Sequence, residues 1–318
     1  MKTSTTPRDT TRLLQRAARA LKRHLPSAVA GNDRGVHQAR VASRRLREAV
    51  PVLATGLKGG KAGKARRKIR RLTRALGTVR ELDVTLRILD ELARADGVPR
   101  PAVEAVRARV IQELDHGRDA MLKRLSRVNL DKLHRRLRSV ADALDRAEDE
   151  PWREALGARL LKRAERLSAA IANAGQMYAP DRLHVVRIAA KKLRYGLEIA
   201  AALGAGAAAP HVRVLERAQD LLGRLHDLQV LHRQVGAADA VLQPGAGVSP
   251  HGLDALAHHI ERECRHLHGR YVAMVPELGE IPASVTLVIA PHLTRPARRR
   301  PLKMALPRAA AAAGEGRR

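Results

Sequence analysis

Two stretches of the chain carry the same series of a histidine followed by cations, spaced to lie on one face of a helix. The first series is His37, Arg40, Arg44 and Arg47, and the second is His184, Arg187, Lys191 and Arg194. Residues at i, i+3, i+7 and i+10 share one side of a helix. Guanidinium groups pair with phosphate oxygens through two hydrogen bonds, and ammonium groups add mobile point charges. The chemistry that these residues indicate is the binding of phosphate-like anions.

The two series belong to a larger internal repeat. Segment 36–47 (VHQARVASRRLR) aligns with 183–194 (LHVVRIAAKKLR), and 76–84 (LGTVRELDV) aligns with 222–230 (LGRLHDLQV), at offsets of 147 and 146 residues. Because the offsets agree within one residue, a whole helix pair is duplicated. Arg45 and Lys192 flank the two stripes in equivalent positions. Two copies of one unit tend to pack about a two-fold axis, so we expect the basic faces to converge on a shared groove.

The helix after each series carries further cations on one face. These are Arg67, Arg71 and Arg74 in the first copy, and Arg213 and Arg217 in the second. Glu48 is the only acidic residue between Arg34 and Arg80, and unpaired like charges destabilise a helix. A solvated helix face is the ordinary explanation of such a charge run, but the duplicated, acid-poor arrangement favours a binding surface.

Composition indicates an all-α protein with an anionic partner. The 318 residues are 45% hydrophobic but only 1% aromatic, so the core must consist of Leu, Ala, Val and Ile, which suits helix packing. The 61 Lys and Arg outnumber 32 Asp and Glu, giving a net charge of +29, more than solubility requires. Apolar periodicity predicts helices at about 9–29, 34–54, 61–95, 100–126, 130–148, 152–177, 181–203, 211–238 and 252–275.

These elements predict four regions. They are a first four-helix half (1–128), a connecting helix (129–150), a second four-helix half (151–277) and a C-terminal segment (278–318). Within the last region we expect a short extended piece at 284–290 (SVTLVIA) and a largely disordered tail beyond Arg295, rich in Pro, Ala and cations.

The sequence also favours a cytoplasmic protein without a membrane partner. Cys264 is the only cysteine, which agrees with a reducing compartment. The N-terminus has no continuous apolar stretch typical of a secretory signal. Nothing reaches transmembrane length by our interpretation, because the longest nearly uncharged stretch, 195–210, is interrupted by Glu198.

The paired histidines have three candidate roles: hydrogen-bond donor to phosphate, metal ligand, or phosphoryl acceptor. We favour the donor, because an imidazole beside phosphates gains protons and donates from both nitrogens. The cationic surroundings of His37 and His184 disfavour a metal. A second histidine-rich segment, 258–268, places His259, Glu263 and His266 off the HExxH spacing. We expect no metal, no cofactor and no catalytic residue.

Together, VHQARVASRRLRE with LHVVRIAAKKLRY and LGTVRELDV with LGRLHDLQV resemble the CHAD family, the conserved histidine α-helical domain, over roughly 10–277. The resemblance implies two pseudo-symmetric four-helix bundles around a central basic channel that binds inorganic polyphosphate, often on polyphosphate granules with granule proteins as partners. It implies no catalysis, and it assigns binding to the fifteen stripe, flanking and second-helix residues named above. One departure is His226, which stands where the first half has Arg80.

Two other functions remain open. The main alternative is nonspecific binding of duplex DNA or RNA, since any basic groove attracts nucleic acid, although the scarcity of aromatic residues removes the stacking platforms of single-strand binders. The other is a polyphosphate kinase or phosphatase. That reading lacks a Walker-type loop, paired carboxylates at metal spacing and an activated nucleophile.

Overall fold

A computed structural model describes residues 7–147, 150–239 and 250–294, and it confirms the all-α class. No strand occurs within these ranges. The helices, in chain order, are α1 (Pro7–Val29), α2 (Asp33–Leu53), α3 (Lys61–Leu92), α4 (Arg100–Ser126), α5 (Leu130–Asp145), α6 (Trp152–Ala174), α7 (Pro180–Ala202), α8 (Ala208–Asp239), α9 (Pro250–Ser284), a π-helical turn (Val285–Ile289) and α10 (Ala290–Thr294).

Local capping chemistry explains where several helices begin and end. The side chain of Asn32 accepts a hydrogen bond from the Gly35 amide at 2.8 Å and starts α2, and Asn129 starts α5 in the same way. Pro180 occupies the first position of α7, where the missing N–H costs nothing. Gly175, with φ of 61°, ends α6 because only glycine adopts this conformation without strain.

The helices pack into two groups that contact one another. Helices α1 to α4 pack in sequence and α5 lies against α1 and α3, while α6 to α9 pack in sequence and α10 lies against α6. Between the groups, α2 contacts α6 and α7, and α3 contacts α8. Leucine dominates the fully buried positions of both groups. The division into four regions and the pseudo-symmetry of the halves stay predictions.

The C-terminal part differs from the sequence prediction. Segment 284–290 is helical and not extended, and α9 continues to Ser284, past the predicted end of the second half at 277. Val285, Ile289 and Leu293, four residues apart, are fully buried, whereas Leu287 is 76% exposed. Packing of this face against α6 overrides the strand propensity of β-branched residues. The predicted disordered tail lies outside the described residues.

By length and composition alone, the helical run His251–Thr294 could cross a membrane, because it contains an 18-residue window with a mean hydropathy of 1.5. The expectation that nothing reaches this length is therefore wrong. The buried side chains of the run, including Leu278, Ile281 and Val285, pack against α6 and α8. Of the apolar window, 28% is buried in the described structure, so most of its surface faces outward.

Candidate anion-binding site

The basic faces of α2 and α7 meet where the two helix groups contact one another. Their charges act on each other across the interface: Arg44 of α2 adds to the effect of burial in lowering the pKa of Arg187 and Lys191 on α7. Helices α3 and α8 contribute the neighbouring side chains. We call this assembly the central basic cluster; it consists of His37, Arg40, Arg44, Arg80, His184, Arg187, Lys191 and His226.

Lys191 shows how strongly the central basic cluster disfavours the charged form of one of its own side chains. Burial, together with the positive charges of Arg44, Arg187 and Arg40, lowers the pKa of Lys191 from 10.5 to about 7. Near neutral pH this lysine is therefore only partly protonated. An anion beside it would restore the charged form.

The arginines of the cluster are half-buried and lack carboxylate partners. Burial and the nearby Arg44 lower the pKa of Arg40 to about 10. Among the ion pairs formed by the described residues, none involves Arg40, Arg44, Arg187 or Lys191. The Nε atom of Arg187 is buried with no hydrogen-bond partner. A buried donor without an acceptor is costly, so this atom marks a place for an anionic oxygen.

Tyr195 supports the cluster from α7. The guanidinium of Arg44 lies 5.6 Å from the ring centroid, and that of Arg194 lies 4.8 Å from it. Both distances permit cation–π attraction, which holds cations in place without neutralising them. One aromatic ring thus orients arginines from both helix groups.

Burial and neighbouring cations lower the pKa of all three histidines of the cluster, and the donor role of His37 and His184 toward phosphate stays a prediction. Nδ1 of His184 lies 3.2 Å from Nδ1 of His226, so one ring donates and the other accepts. Burial, followed by the charge of Arg187, lowers the pKa of His226 to about 4. Burial also lowers the pKa of His37 and His184, with Arg80 and Arg187 the next causes. Burial, and after it the surrounding cations, therefore disfavours the charged form of these imidazoles.

Carboxylates from α3 and α8 lie near the cluster, although the stripes themselves are free of acid. Burial raises the pKa of Asp227, and Arg187 and Arg80 oppose that change. Burial likewise raises the pKa of Asp83, whose Oδ2 atom is buried without a partner. The negative charge of Glu81 opposes the lowering of the Arg40 pKa, although Glu81 forms no ion pair with Arg40. These acids moderate the repulsion but do not neutralise the cations.

Several predicted binding residues lie outside the cluster. Arg194 donates to Glu198 at 2.5 Å and Glu216 at 3.1 Å, and Arg217 donates to Glu277 at 2.5 Å, so carboxylates neutralise both. These carboxylates come from another turn of α7 and from α8 and α9, and the binding role of Arg194 and Arg217 stays a prediction. Arg47 lies 3.7 Å from Glu48 and still adds to the positive field at Lys191.

The flanking and second-helix cations point elsewhere. Arg45 lines a cavity of about 530 Å³ between α1, α2 and α7, and Lys192 lines one of about 590 Å³ between α6 and α7. The charge of Arg71 contributes to lowering the pKa of Lys68, which lies beside α5. The remaining predicted cations, Arg67, Arg74 and Arg213, are exposed. The structure therefore gathers only part of the predicted set into one site.

Sequence reasoning assigned no binding role to Arg80, Tyr195 and Gly77. Arg80 and His226 occupy equivalent positions of the repeat, and this equivalence could have indicated that both residues belong to the site. Gly77 lies directly under Arg40, since a Cβ atom there would stand 2.9 Å from Nη1 of that arginine. The absence of a side chain at Gly77 thus makes room for the guanidinium.

An ion pair between the helix groups positions the two basic faces. Arg163 of α6 pairs with the buried carboxylate of Glu48 on α2, and it also donates to the carbonyl of Lys192 on α7 at 2.6 Å. Arg159 donates to the carbonyl of Glu48 at 3.4 Å. One arginine therefore links α6 to both stripe-bearing helices.

Within the described part of the chain, no group of three or more His, Cys, Asp or Glu side chains is placed to hold a metal ion. The carboxylates nearest the cluster face arginines instead.

Comparisons with known proteins agree with this architecture. The CHAD domain matches residues 12–236. Among solved structures, the CHAD domain from the plant Ricinus communis is similar with a TM-score of 0.57 at 21% identity, covering 91% of this chain and 95% of that one. PptA from Streptomyces chartreusis gives a TM-score of 0.57 at 18% identity, covering 87% of this chain and 100% of that one. Curated protein sequences give no significant match. The family match spans well over half of the chain, and the chain therefore belongs to the CHAD family.

Proposed function

We propose that this protein binds inorganic polyphosphate at the central basic cluster and carries out no catalysis. The observation that carries the proposal is the set of half-buried cations from both helix groups, Arg40, Arg44, Arg187 and Lys191, none of which has a carboxylate partner among the described residues. Membership of a family that is associated with polyphosphate binding supports the same ligand.

The energetics favour a flexible chain of phosphates. In the free protein the cluster combines mutual repulsion with loss of hydration, both of which disfavour the charged forms. Phosphate oxygens would satisfy buried donors such as Arg187 Nε and restore the proton on Lys191. Release of counterions from the polyanion adds to the affinity and makes it strongly dependent on salt.

The shape of the site favours a narrow ligand. The cluster lies among α2, α3, α7 and α8, and packed helices are separated by only about 8 to 10 Å between their axes. Because Arg40 and Arg187 are partly buried among these helices, a narrow phosphate chain can approach their guanidinium groups more closely than a broad nucleic-acid duplex can. Direct contact with Arg40 and Arg187 therefore discriminates between the two polyanions.

The absence of catalysis is part of the proposal. Phosphoryl transfer would require a positioned metal, an activated nucleophile or an arranged acid and base. At the cluster, the neutral imidazoles of His184 and His226 face each other, and Asp227 and Asp83 face arginines. This arrangement suits binding through hydrogen bonds.

We further propose a cytoplasmic location on polyphosphate granules, where granule proteins are the expected neighbours and a membrane is not. The single cysteine and the affinity for polyphosphate support this location. Fluorescently tagged protein should follow stained granules in cells, and it should disperse when the cluster is neutralised. A tagged cluster variant that stays on the granules would contradict the proposal.

Binding is tested by neutralising the cluster. We expect a variant with Arg40, Arg44, Arg187 and Lys191 all replaced by Gln to bind polyphosphate at least 100-fold more weakly in calorimetry, or about 2.7 kcal/mol. The matched control removes four exposed, unpaired cations by replacing Arg94, Arg100, Arg262 and Arg270 with Gln. Circular dichroism establishes that both variants are folded. Equal loss of affinity in both would refute a specific site.

A further inference from the structure

A second basic surface lies where α5 packs against α3. Helix α5 buries Leu133, Leu137, Val140 and Leu144 against α1 and α3. Its other face therefore remains available. We call the surface formed with the adjoining part of α3 the α3/α5 surface; it comprises Lys61, Lys64, Lys68, Lys132, Arg135 and Arg136.

Two contacts fix how the helices lie. Nζ of Lys68 donates to the carbonyl of Asn129 at 3.3 Å, and Nζ of Lys61 donates to Oγ of Ser139 at 2.9 Å. As the chain advances from 129 to 139 on α5, its partner on α3 moves back from 68 to 61, so the helices are antiparallel here. Ten residues of α5 correspond to about 15 Å of surface.

Each helix presents its cations as one stripe. Lys61, Lys64 and Lys68 follow the i, i+3, i+7 spacing, and Lys132, Arg135 and Arg136 share a face of α5. Most of these side chains are exposed. Burial, followed by the charges of Arg136 and Lys132, lowers the pKa of Lys68, as expected if the stripes adjoin.

Acidic residues do not neutralise this surface. None of its six cations forms an ion pair with a carboxylate of the described residues. The acids of α5 are Asp131, Asp142 and Asp145. Four exposed and two partly buried cations on a strip of about 15 Å reach at least the density of phosphates along one strand of nucleic acid, about one per 3.4 Å.

We propose that the α3/α5 surface binds the phosphate backbone of duplex nucleic acid, independently of the central basic cluster. The surface is exposed, so a broad duplex can reach it although it cannot enter between packed helices. Long lysine and arginine side chains that contact phosphates give affinity without reading sequence. No aromatic residue lies in 61–71 or 130–145, so stacking of single-stranded bases contributes nothing there.

This surface gives the protein two separate polyanion sites. A polyphosphate chain in the central basic cluster and a duplex on α3 and α5 would be held by the same molecule without competing for the same residues. The protein would then link polyphosphate to nucleic acid. Duplex binding does not depend on the central basic cluster, whereas the link to polyphosphate rests on the proposed function.

The experiment compares three folded variants against two ligands. The α3/α5 variant replaces Lys68, Lys132, Arg135 and Arg136 with Gln, the cluster variant replaces Arg40, Arg44, Arg187 and Lys191, and the control replaces Arg94, Arg100, Arg262 and Arg270. Each variant removes four cations. Binding of a 20-base-pair DNA duplex is measured by fluorescence anisotropy at several salt concentrations, and binding of long-chain polyphosphate by calorimetry.

We expect the α3/α5 variant alone to bind the duplex at least 30-fold more weakly. Its plot of log affinity against log salt should be shallower by about 3, because each phosphate contact contributes about 0.9 to the slope. Its affinity for polyphosphate should stay within about threefold of wild type. Equal loss of duplex binding in the control variant, no loss in the α3/α5 variant, or equal loss of both ligands in the α3/α5 variant would overturn the proposal.

Discussion

Replacement of Lys191 by Met should stabilise the free protein and lower its affinity for polyphosphate. Lys191 lies among Arg44, Arg187 and Arg40, and it forms no ion pair with the described residues. Methionine keeps a similar shape and removes the charge that burial and these arginines oppose. Loss of a buried lysine usually destabilises a protein only when it leaves a partner unpaired. No such partner exists at this position among the described residues.

The size of the effect follows from the pKa of Lys191. The fall from 10.5 to about 7 corresponds to roughly 4 to 5 kcal/mol against the charged form, at about 1.4 kcal/mol per pH unit. At pH 6 the lysine is mostly charged in both folded and unfolded chains, so the penalty is fully present. Residual contact with solvent screens part of it. We expect Lys191→Met to raise the free energy of unfolding by ~2 kcal/mol.

The assay is urea unfolding at several pH values, with Lys192→Met as the control. Lys192 is the exposed neighbour of Lys191 on α7, and its replacement should change stability by less than about 0.5 kcal/mol. Between pH 7 and 10.5 the unfolded chain binds a proton at Lys191 that the folded chain has released. Wild-type stability should therefore rise with pH across this window relative to Lys191→Met.

Bound polyphosphate should make the wild-type protein more stable than Lys191→Met. Saturating ligand stabilises a protein according to its affinity for the folded state, so it should raise the melting temperature of wild type more than that of Lys191→Met. A Lys191→Met protein that is less stable than wild type at pH 6, or that matches Lys192→Met in both assays, would refute the reasoning.

Three further outcomes are expected. Polyphosphate affinity should fall from pH 6 to 9, because phosphates favour protonated Lys191, whose pKa is about 7 in the free protein. Calorimetry in buffers of different ionisation enthalpy should show that binding takes up protons. Release of protons on binding would contradict this prediction. Gly77→Ala should displace the Arg40 guanidinium and weaken binding roughly threefold to tenfold without loss of stability, whereas Gly223→Ala, which has open space around it, should bind as wild type. Glu48→Gln should lower the free energy of unfolding by about 2 kcal/mol by removing the carboxylate that pairs with Arg163, and thermal unfolding that matches wild type would exclude that role.

The helices could be predicted from the sequence because their signals are local. Breaks at glycine and proline separate long amphipathic segments, and α2, α3, α7 and α8 begin and end within about three residues of the predicted positions. The end of α9 was missed because its local signal points the other way. Val285 and Ile289 have strand propensity, and their contact with α6 favours the helix.

The site was predicted in part because charge neutralisation is a tertiary property. The spacing predicted His37, Arg40 and Arg44 on one face of α2, and in the structure the charge of Arg44 acts on both His37 and Arg40. The spacing could not show that Glu198 and Glu216 neutralise Arg194. Nor could it show that cations around His226 keep its imidazole neutral.

The most direct test of the account is a crystal structure of the protein with a polyphosphate of defined length, determined at pH 6 and low salt. We predict ordered phosphates among α2, α3, α7 and α8, with an oxygen within hydrogen-bond distance of Arg187 Nε and others near Arg40 and Lys191. Phosphates bound only to outer surfaces such as α3 and α5, with these three side chains unchanged, would contradict it.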